Sequence, residues 1–182
     1  SVESFTATCI DEYAFENCEN LEIANFPKAR TIGENSFYEC EKLKIVNFPK
    51  STSIAARSFI LCKSLEMAYF PQVITIGQNA FWMCRNLKEA HFPQSTRVND
   101  RAFIYCNSLE MANFPKARTI GQNAFFECSE LKLAYLPCAT SLGSDTFNGC
   151  NDLKILVLPD DLFNEYGEIS DDRKRVWGIR ES

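Results

Sequence analysis

Every proline in this 182-residue chain falls on one position of a 22-residue period: Pro27, Pro49, Pro71, Pro93, Pro115, Pro137 and Pro159. Phe15, Phe37, Phe59, Phe81, Phe103, Phe125 and Phe147 keep the same step, as do Cys18, Cys40, Cys62, Cys84, Cys106, Cys128 and Cys150. So do Leu21, Leu43, Leu65, Leu87, Leu109, Leu131 and Leu153, and the series Ile10, Ile32, Ile54, Ile76, Val98, Ile120 and Leu142. A fixed period of this length is the mark of stacked units, each unable to bury its inner face alone.

Each unit reads L-x-x-A-x-F-P-x-A/S-x-x-I-G-x-x-A/S-F-x-x-C. Its first six residues have the apolar spacing of the leucine-rich-repeat strand, L-x-x-L-x-L. Because a strand alternates faces after a turn-like first step, Leu21, Ala24 and Phe26 are expected inside, and Glu22, Ile23 and Asn25 outside. Proline has no N–H to give a ladder, so the paired residues end before Pro27. From Ile32 onward, Ile, a small residue, Phe and Cys recur at spacings that fit a single helical or 3₁₀ turn, since the rest of the unit leaves no room for a long helix. Gly33, Gly77, Gly121 and Gly143 stand before that turn, but Ala55 and Asn99 take the same position, so a positive φ is not obligatory there.

The expected architecture is a curved, right-handed leucine-rich-repeat solenoid. One parallel β-sheet of about seven short strands faces short helical or 3₁₀ turns on the convex side, with like residues about 4.8 Å apart in successive coils. A longer period of 44 overlies the first: strand-opening charges alternate Glu22, Lys44, Glu66, Lys88, Glu110 and Lys132, which favours the native register over a slip by one coil.

The formal net charge of -5, with Lys and Glu interleaved, leaves no basic stripe to track a phosphate backbone, so nucleic acid is not expected as a partner. No apolar run approaches the roughly 20 residues that cross a bilayer, so direct membrane insertion is not expected. The opening SVESFTATCID carries neither the charged nor the apolar region of a leader.

No constellation of residues calls for catalysis or a cofactor. The single histidine, His91, falls in an outward strand column, on the opposite side of the sheet from cysteines expected to be buried, so it cannot activate them. The cysteines show neither C-x₂-C nor Cys/His clusters of the zinc kind, and a column of seven cannot pair completely into disulfides, which leaves buried free thiols as the main reading. Cys138 replaces Lys or Gln of the other units and is expected to be exposed, able to link to another molecule, including a second copy. Asp160 and Asp161 are expected to serve the start of a closing helix, and neighbouring carboxylates such as Asp171 and Asp172 are not opposed across a cleft.

Two surface columns are candidates for a protein partner. The first is the outward strand face, where Ile23, Ile45, Met67, Glu89, Met111 and Leu133 run beside Asn25, Asn47, Tyr69, His91, Asn113 and Tyr135. Contiguous apolar surface with Tyr and Met is typical of protein-binding patches. The second is the column that follows the buried Phe on the convex side: Tyr38, Ile60, Trp82, Ile104 and Phe126.

The segment IGQNAFFECSELKLAYLP resembles the BspA-type leucine-rich repeats of surface proteins from mucosal bacteria and anaerobic protozoa, over about residues 10–159. The resemblance implies a non-enzymatic, adhesin-like module that binds host matrix proteins or partner cells. It also implies that residues 1–159 form the solenoid, with 1–9 as its N-terminal edge, and that 160–182 form a helical cap in which Leu162, Phe163, Tyr166 and Trp177 close the core. This chain departs from the family at Ala24, Ala68, Ala90, Ala112 and Ala134, where Ile or Val is usual (Val46 and Leu156 conform), and at Ile23, Ile45, Met67, Met111 and Leu133, where polar residues are usual. The resemblance places the protein at the cell surface or outside the cell. The many free cysteines point instead to a reducing, cytoplasmic setting, where a rigid scaffold within a larger assembly is the alternative role.

Overall fold

The computed structural model describes residues 1–162. The chain coils as a parallel β-solenoid, and each coil contributes a three-residue strand, a bend at the proline, a two-residue strand and a run of turns. The longer strands stack in register, with Ile23–Asn25 beside Ile45–Asn47 and Met111–Asn113 beside Leu133–Tyr135. Inward and outward residues alternate as expected: Leu21, Ala24 and Phe26 are buried, while Ile23 and Asn25 are half-buried at the surface.

The single expected sheet is in fact two ladders. The residues around Ile32 form a second, seven-stranded parallel sheet running from Cys9–Ile10 to Ser141–Leu142. The longer strands form a three-stranded sheet, Val2–Glu3, Ile23–Asn25 and Ile45–Asn47, and a five-stranded one from Met67–Tyr69 to Ile155–Val157.

The convex segment is a chain of β-turns with little helical character. An α-helix sends every N–H back four residues along its own turn. Here alternate N–H groups leave the coil altogether: Asn35, Phe37 and Glu39 donate to the carbonyls of Ala56, Ser58 and Ile60 in the next coil, at 3.3, 2.8 and 2.9 Å. The intervening Ser36, Tyr38 and Cys40 close three-residue turns onto Gly33, Asn35 and Phe37. This alternation needs two left-handed residues per coil, and they recur at Asn35 and Glu39, Arg57 and Leu61, Asn79 and Met83, Arg101 and Tyr105, and Asn123 and Glu127. Asn tolerates that backbone; Leu, Met and Tyr are held in it by the ladder. The glycine column has a different cause. A Cβ on Gly77 would stand 2.4 Å from the backbone carbon of Ala55 in the preceding coil, so glycine there serves close approach of coils rather than a positive φ.

The interior is two columns of phenylalanine. On the turn side Phe37, Phe59, Phe81 and Phe103 stack nearly parallel, with centroids 5.2, 5.2 and 5.0 Å apart. On the strand side Phe70, Phe92 and Phe114 stack likewise at 5.4 and 5.3 Å. The two columns meet edge to face, at interplanar angles of 61, 68 and 67° along Phe70, Phe81, Phe92 and Phe103. Both arrangements suit the ring quadrupole. The alanines that stand where Ile or Val is usual in the strand are fully buried in the same core as the rings.

Asp160, Asp161 and Leu162 are helical, with both carboxylates exposed and Leu162 buried. The remaining expected cap residues, Phe163, Tyr166 and Trp177, and the pair Asp171 and Asp172, lie outside the described residues.

Candidate functional site

The strand face is built by register. Because successive strands pair residue for residue, Tyr69 stands beside His91, His91 beside Asn113 and Asn113 beside Tyr135. Neighbouring side chains then bond along the column: Asn47 Nδ2 donates to Asn25 Oδ1 at 2.8 Å, and Asn113 Nδ2 lies 3.4 Å from His91 Nδ1. His91 Nε2 lies 2.9 Å from a Glu89 carboxylate oxygen, tying the two outward columns together. The first column carries the apolar groups. Ile45, Met67 and Tyr69 are 55, 51 and 55% exposed, whereas Ile23, Glu89, Met111, Asn113, Leu133 and Tyr135 are half-buried, so free apolar area lies on two adjacent coils and again at Ile155, which ends the first column. Val157, which stands beside Tyr135 at the end of the second outward column, is buried.

Ion pairs edge the face. Lys44 meets Glu22 at 3.0 Å, Lys88 meets Glu66 at 4.0 Å and Lys132 meets Glu110 at 2.6 Å. The alternating charges thus join within each 44-residue doublet. The Lys44 and Lys132 ammonium groups hold the Glu22 and Glu110 carboxyls below the usual carboxylate range, first through the hydrogen bond and then through charge.

The convex column does not form one exposed surface. Ile60 and Ile104 are buried, because their side chains lie in the alternate halves of the doublet where the turn packs them against neighbouring coils; Tyr38 and Phe126 are half-buried and Trp82 is 36% exposed. Tyr105 packs edge-on against Phe126, with centroids 5.8 Å apart. The hydrogen bond to Glu39, and next burial, push the Tyr38 hydroxyl up.

The cysteine ladder has a defined task. Each buried thiol donates across coils to a phenylalanine carbonyl, Cys62 to Phe37 at 3.2 Å, Cys84 to Phe59 at 3.1 Å and Cys106 to Phe81 at 3.1 Å. That carbonyl already accepts the backbone N–H of the cysteine in its own coil, so the thiol satisfies its second lone pair. Burial pushes the Cys40 thiol up to about 12 and raises the Cys62, Cys84, Cys106 and Cys128 thiols as well, which makes them poor nucleophiles. All nine cysteines are free thiols. Cys18 is only half-buried, since no described coil stacks on its outer side, and Cys138 is exposed as its position among Lys and Gln residues predicts. Among the described residues no three His, Cys, Asp or Glu side chains gather as a metal site.

Sequence reasoning missed three exposed apolar residues, Phe5, Tyr13 and Ile74. None belongs to the repeated strand or Phe columns, so periodicity gave no signal for them.

Fold and face together define a leucine-rich-repeat solenoid, a class generally used for protein–protein interaction. The family described as BspA type leucine-rich repeat region, a six-copy unit, matches residues 8–132 and 118–168, and the chain belongs to that family. Among solved structures it is similar to a leucine-rich repeat protein of T. pallidum, with 23% identity, a TM-score of 0.64, and coverage of 98% of this chain and 80% of that one. A leucine-rich repeat protein of Bacteroides ovatus ATCC 8483 gives 19% identity and a TM-score of 0.48 over 98% of this chain and 66% of that one. A leucine-rich cell surface protein of Faecalibacterium prausnitzii A2-165 gives 17% identity and a TM-score of 0.45 over 88% and 66%. No curated protein sequence matches the chain. Among the described residues no helix is long and apolar enough to cross a membrane.

Proposed function

We propose that the protein is a non-enzymatic, adhesin-like interaction module that holds a protein partner on its strand face. The observation that carries this reading is the contiguous exposed apolar area of Ile45, Met67 and Tyr69, continued by the hydrogen-bonding column through His91, Asn113 and Tyr135. Apolar anchors beside adaptable polar groups are the composition of protein-binding patches, and a solenoid holds them rigidly in one row. The thiols on the other side are buried and protonated, which supports binding rather than chemistry as the role of this chain.

The test is affinity capture with the native chain beside a triple variant, Tyr69→Ser, His91→Ser and Tyr135→Ser, after matching urea midpoints show that both fold. Partners captured by the native chain and lost by the variant are expected. Partners retained by both would move the site to the ends of the solenoid, to the convex column where Trp82 is exposed, or to Cys138, the surfaces by which a scaffold would dock in a larger assembly.

A further inference from the structure

The stack of longer strands lapses at one step. Ile45–Asn47 and Met67–Tyr69 belong to different sheets, although every other consecutive pair of these strands is hydrogen-bonded. At the intact steps Phe26 donates to Asn47, Phe70 to His91, Phe92 to Asn113 and Phe114 to Tyr135, all at 3.0–3.1 Å. The series skips Phe48. Lys88 likewise donates to Glu66 at 2.8 Å and Glu110 to Lys88 at 2.8 Å, and that series skips Glu66. Spacing in the core agrees: Phe48 and Phe70 lie 6.2 Å apart, against 5.5 Å for Phe26 and Phe48 and 5.4 Å for Phe70 and Phe92.

The rest of the same step is closed. Ser53–Ile54 pairs with Thr75–Ile76, and Arg57, Phe59 and Leu61 donate to Gln78, Ala80 and Trp82 at 2.9, 2.8 and 2.9 Å. The rings of Phe59 and Phe81 keep the ordinary 5.2 Å. One coil boundary is therefore open on its strand side and fastened on its turn side. Val46 stands at this boundary, in a column otherwise filled by Ala24, Ala68, Ala90, Ala112 and Ala134, with Leu156 at its far end. Val46 is half-buried where those alanines are fully buried, and we infer that its two extra methyl groups wedge the strands apart at this step.

We propose that this boundary is a hinge: the strand side opens and closes between Ile45–Asn47 and Met67–Tyr69 about the continuous turn side, so that the array changes curvature at one place. The motion is cheap there because the ladder bonds that would resist it are already absent, while bending at any other coil must break a paired set. The most exposed apolar residues of the strand face, Ile45, Met67 and Tyr69, flank the boundary, so opening changes their separation. The inference does not depend on what the strand face binds.

The test is nuclear magnetic resonance on the whole 182-residue chain, native and Val46→Ala. Amide exchange at Phe48 and Glu66 is expected to be at least about tenfold faster than at Phe70 and Lys88, their equivalents in the next coil. Relaxation dispersion on the microsecond to millisecond scale is expected at residues 45–48 and 66–69 and not at Phe59 or Leu61. In Val46→Ala both signals should approach those of the neighbouring coils. Protection of Phe48 and Glu66 equal to their equivalents, or the absence of dispersion at the strand side, would overturn the hinge. Fast exchange and dispersion unchanged in Val46→Ala would overturn the role given to Val46.

Discussion

The turn side and the strand side of this solenoid are built on the same period but fastened differently. On the turn side, N–H groups of each coil reach the next, the phenylalanine stack keeps 5.0–5.4 Å through its centre, and a thiol bridges every pair of coils from Cys40 to Cys150. On the strand side the ladder lapses between Ile45–Asn47 and Met67–Tyr69, and the charges that cross coils are exposed and screened. The comparison teaches that a repeat does not distribute stability evenly around its circumference. The turn-side column is phenylalanine throughout and keeps its spacing, whereas the strand-side column of Ala24, Val46, Ala68, Ala90, Ala112, Ala134 and Leu156 mixes sizes and parts at one step.

The largest expected effect comes from the thiols. The buried thiols are held protonated in the fold, while in the unfolded chain they ionise near the ordinary 9.0. Their raised values mean that the contribution is complete below that pH. Above it the unfolded chain binds fewer protons, and stability falls until the folded thiols themselves ionise, at about 12 for Cys40. The unfolded thiol is only half ionised at pH 9, so each costs about 1 kcal/mol between pH 9 and 10, and five acting together remove roughly 5 kcal/mol. Urea midpoints at pH 7, 9 and 10 check this; midpoints that do not move would mean that the turn side is not sealed by neutral thiols.

Next in size is the loss of a ring. Phe81→Ala, in the continuous stack, is expected to cost about 3–5 kcal/mol, and Phe48→Ala, at the opened step, roughly 1–2 kcal/mol less because its surroundings can collapse into the space. Equal losses in denaturant titrations would erase the distinction between the two sides. The smallest effect belongs to the strand-side ion pairs. Lys132→Ala breaks a 2.6 Å contact with Glu110, yet both partners are about half exposed, so only a slight drop in the urea midpoint is expected, disappearing in 1 M salt. A larger, salt-resistant loss would show that the charges fasten the strand side after all.

Much of this was legible in the residues. Leu21, Ala24 and Phe26 point inward because a strand has only two faces, and the outward neighbours of Tyr69, His91 and Asn113 follow from a register that any slip would destroy. The turns were harder to read. Asn35, Asn79 and Asn123 hint at left-handed backbone, but their equivalents are Arg57 and Arg101, and the second left-handed column holds Glu39, Leu61, Met83 and Tyr105. No local preference of these side chains asks for that conformation; the hydrogen bonds to the next coil impose it. The convex column misled for a related reason, since Ile60 and Ile104 look like exposed successors of a buried Phe until their neighbouring coils are in place.

By itself, then, the sequence determined the solenoid, its period, its inner columns and the order of side chains along the strand face, because a 22-residue repeat of Leu, Phe, Pro and Cys has one way to bury itself. Only the tertiary structure decided that the convex segment is a ladder of turns rather than a helix, that each buried thiol answers a phenylalanine carbonyl, and that the strand stack parts beside Val46. Those features depend on distances between coils, less than an ångström in ring spacing and the hydrogen bonds skipped at Phe48 and Glu66, and spacing along one chain carries no measure of them.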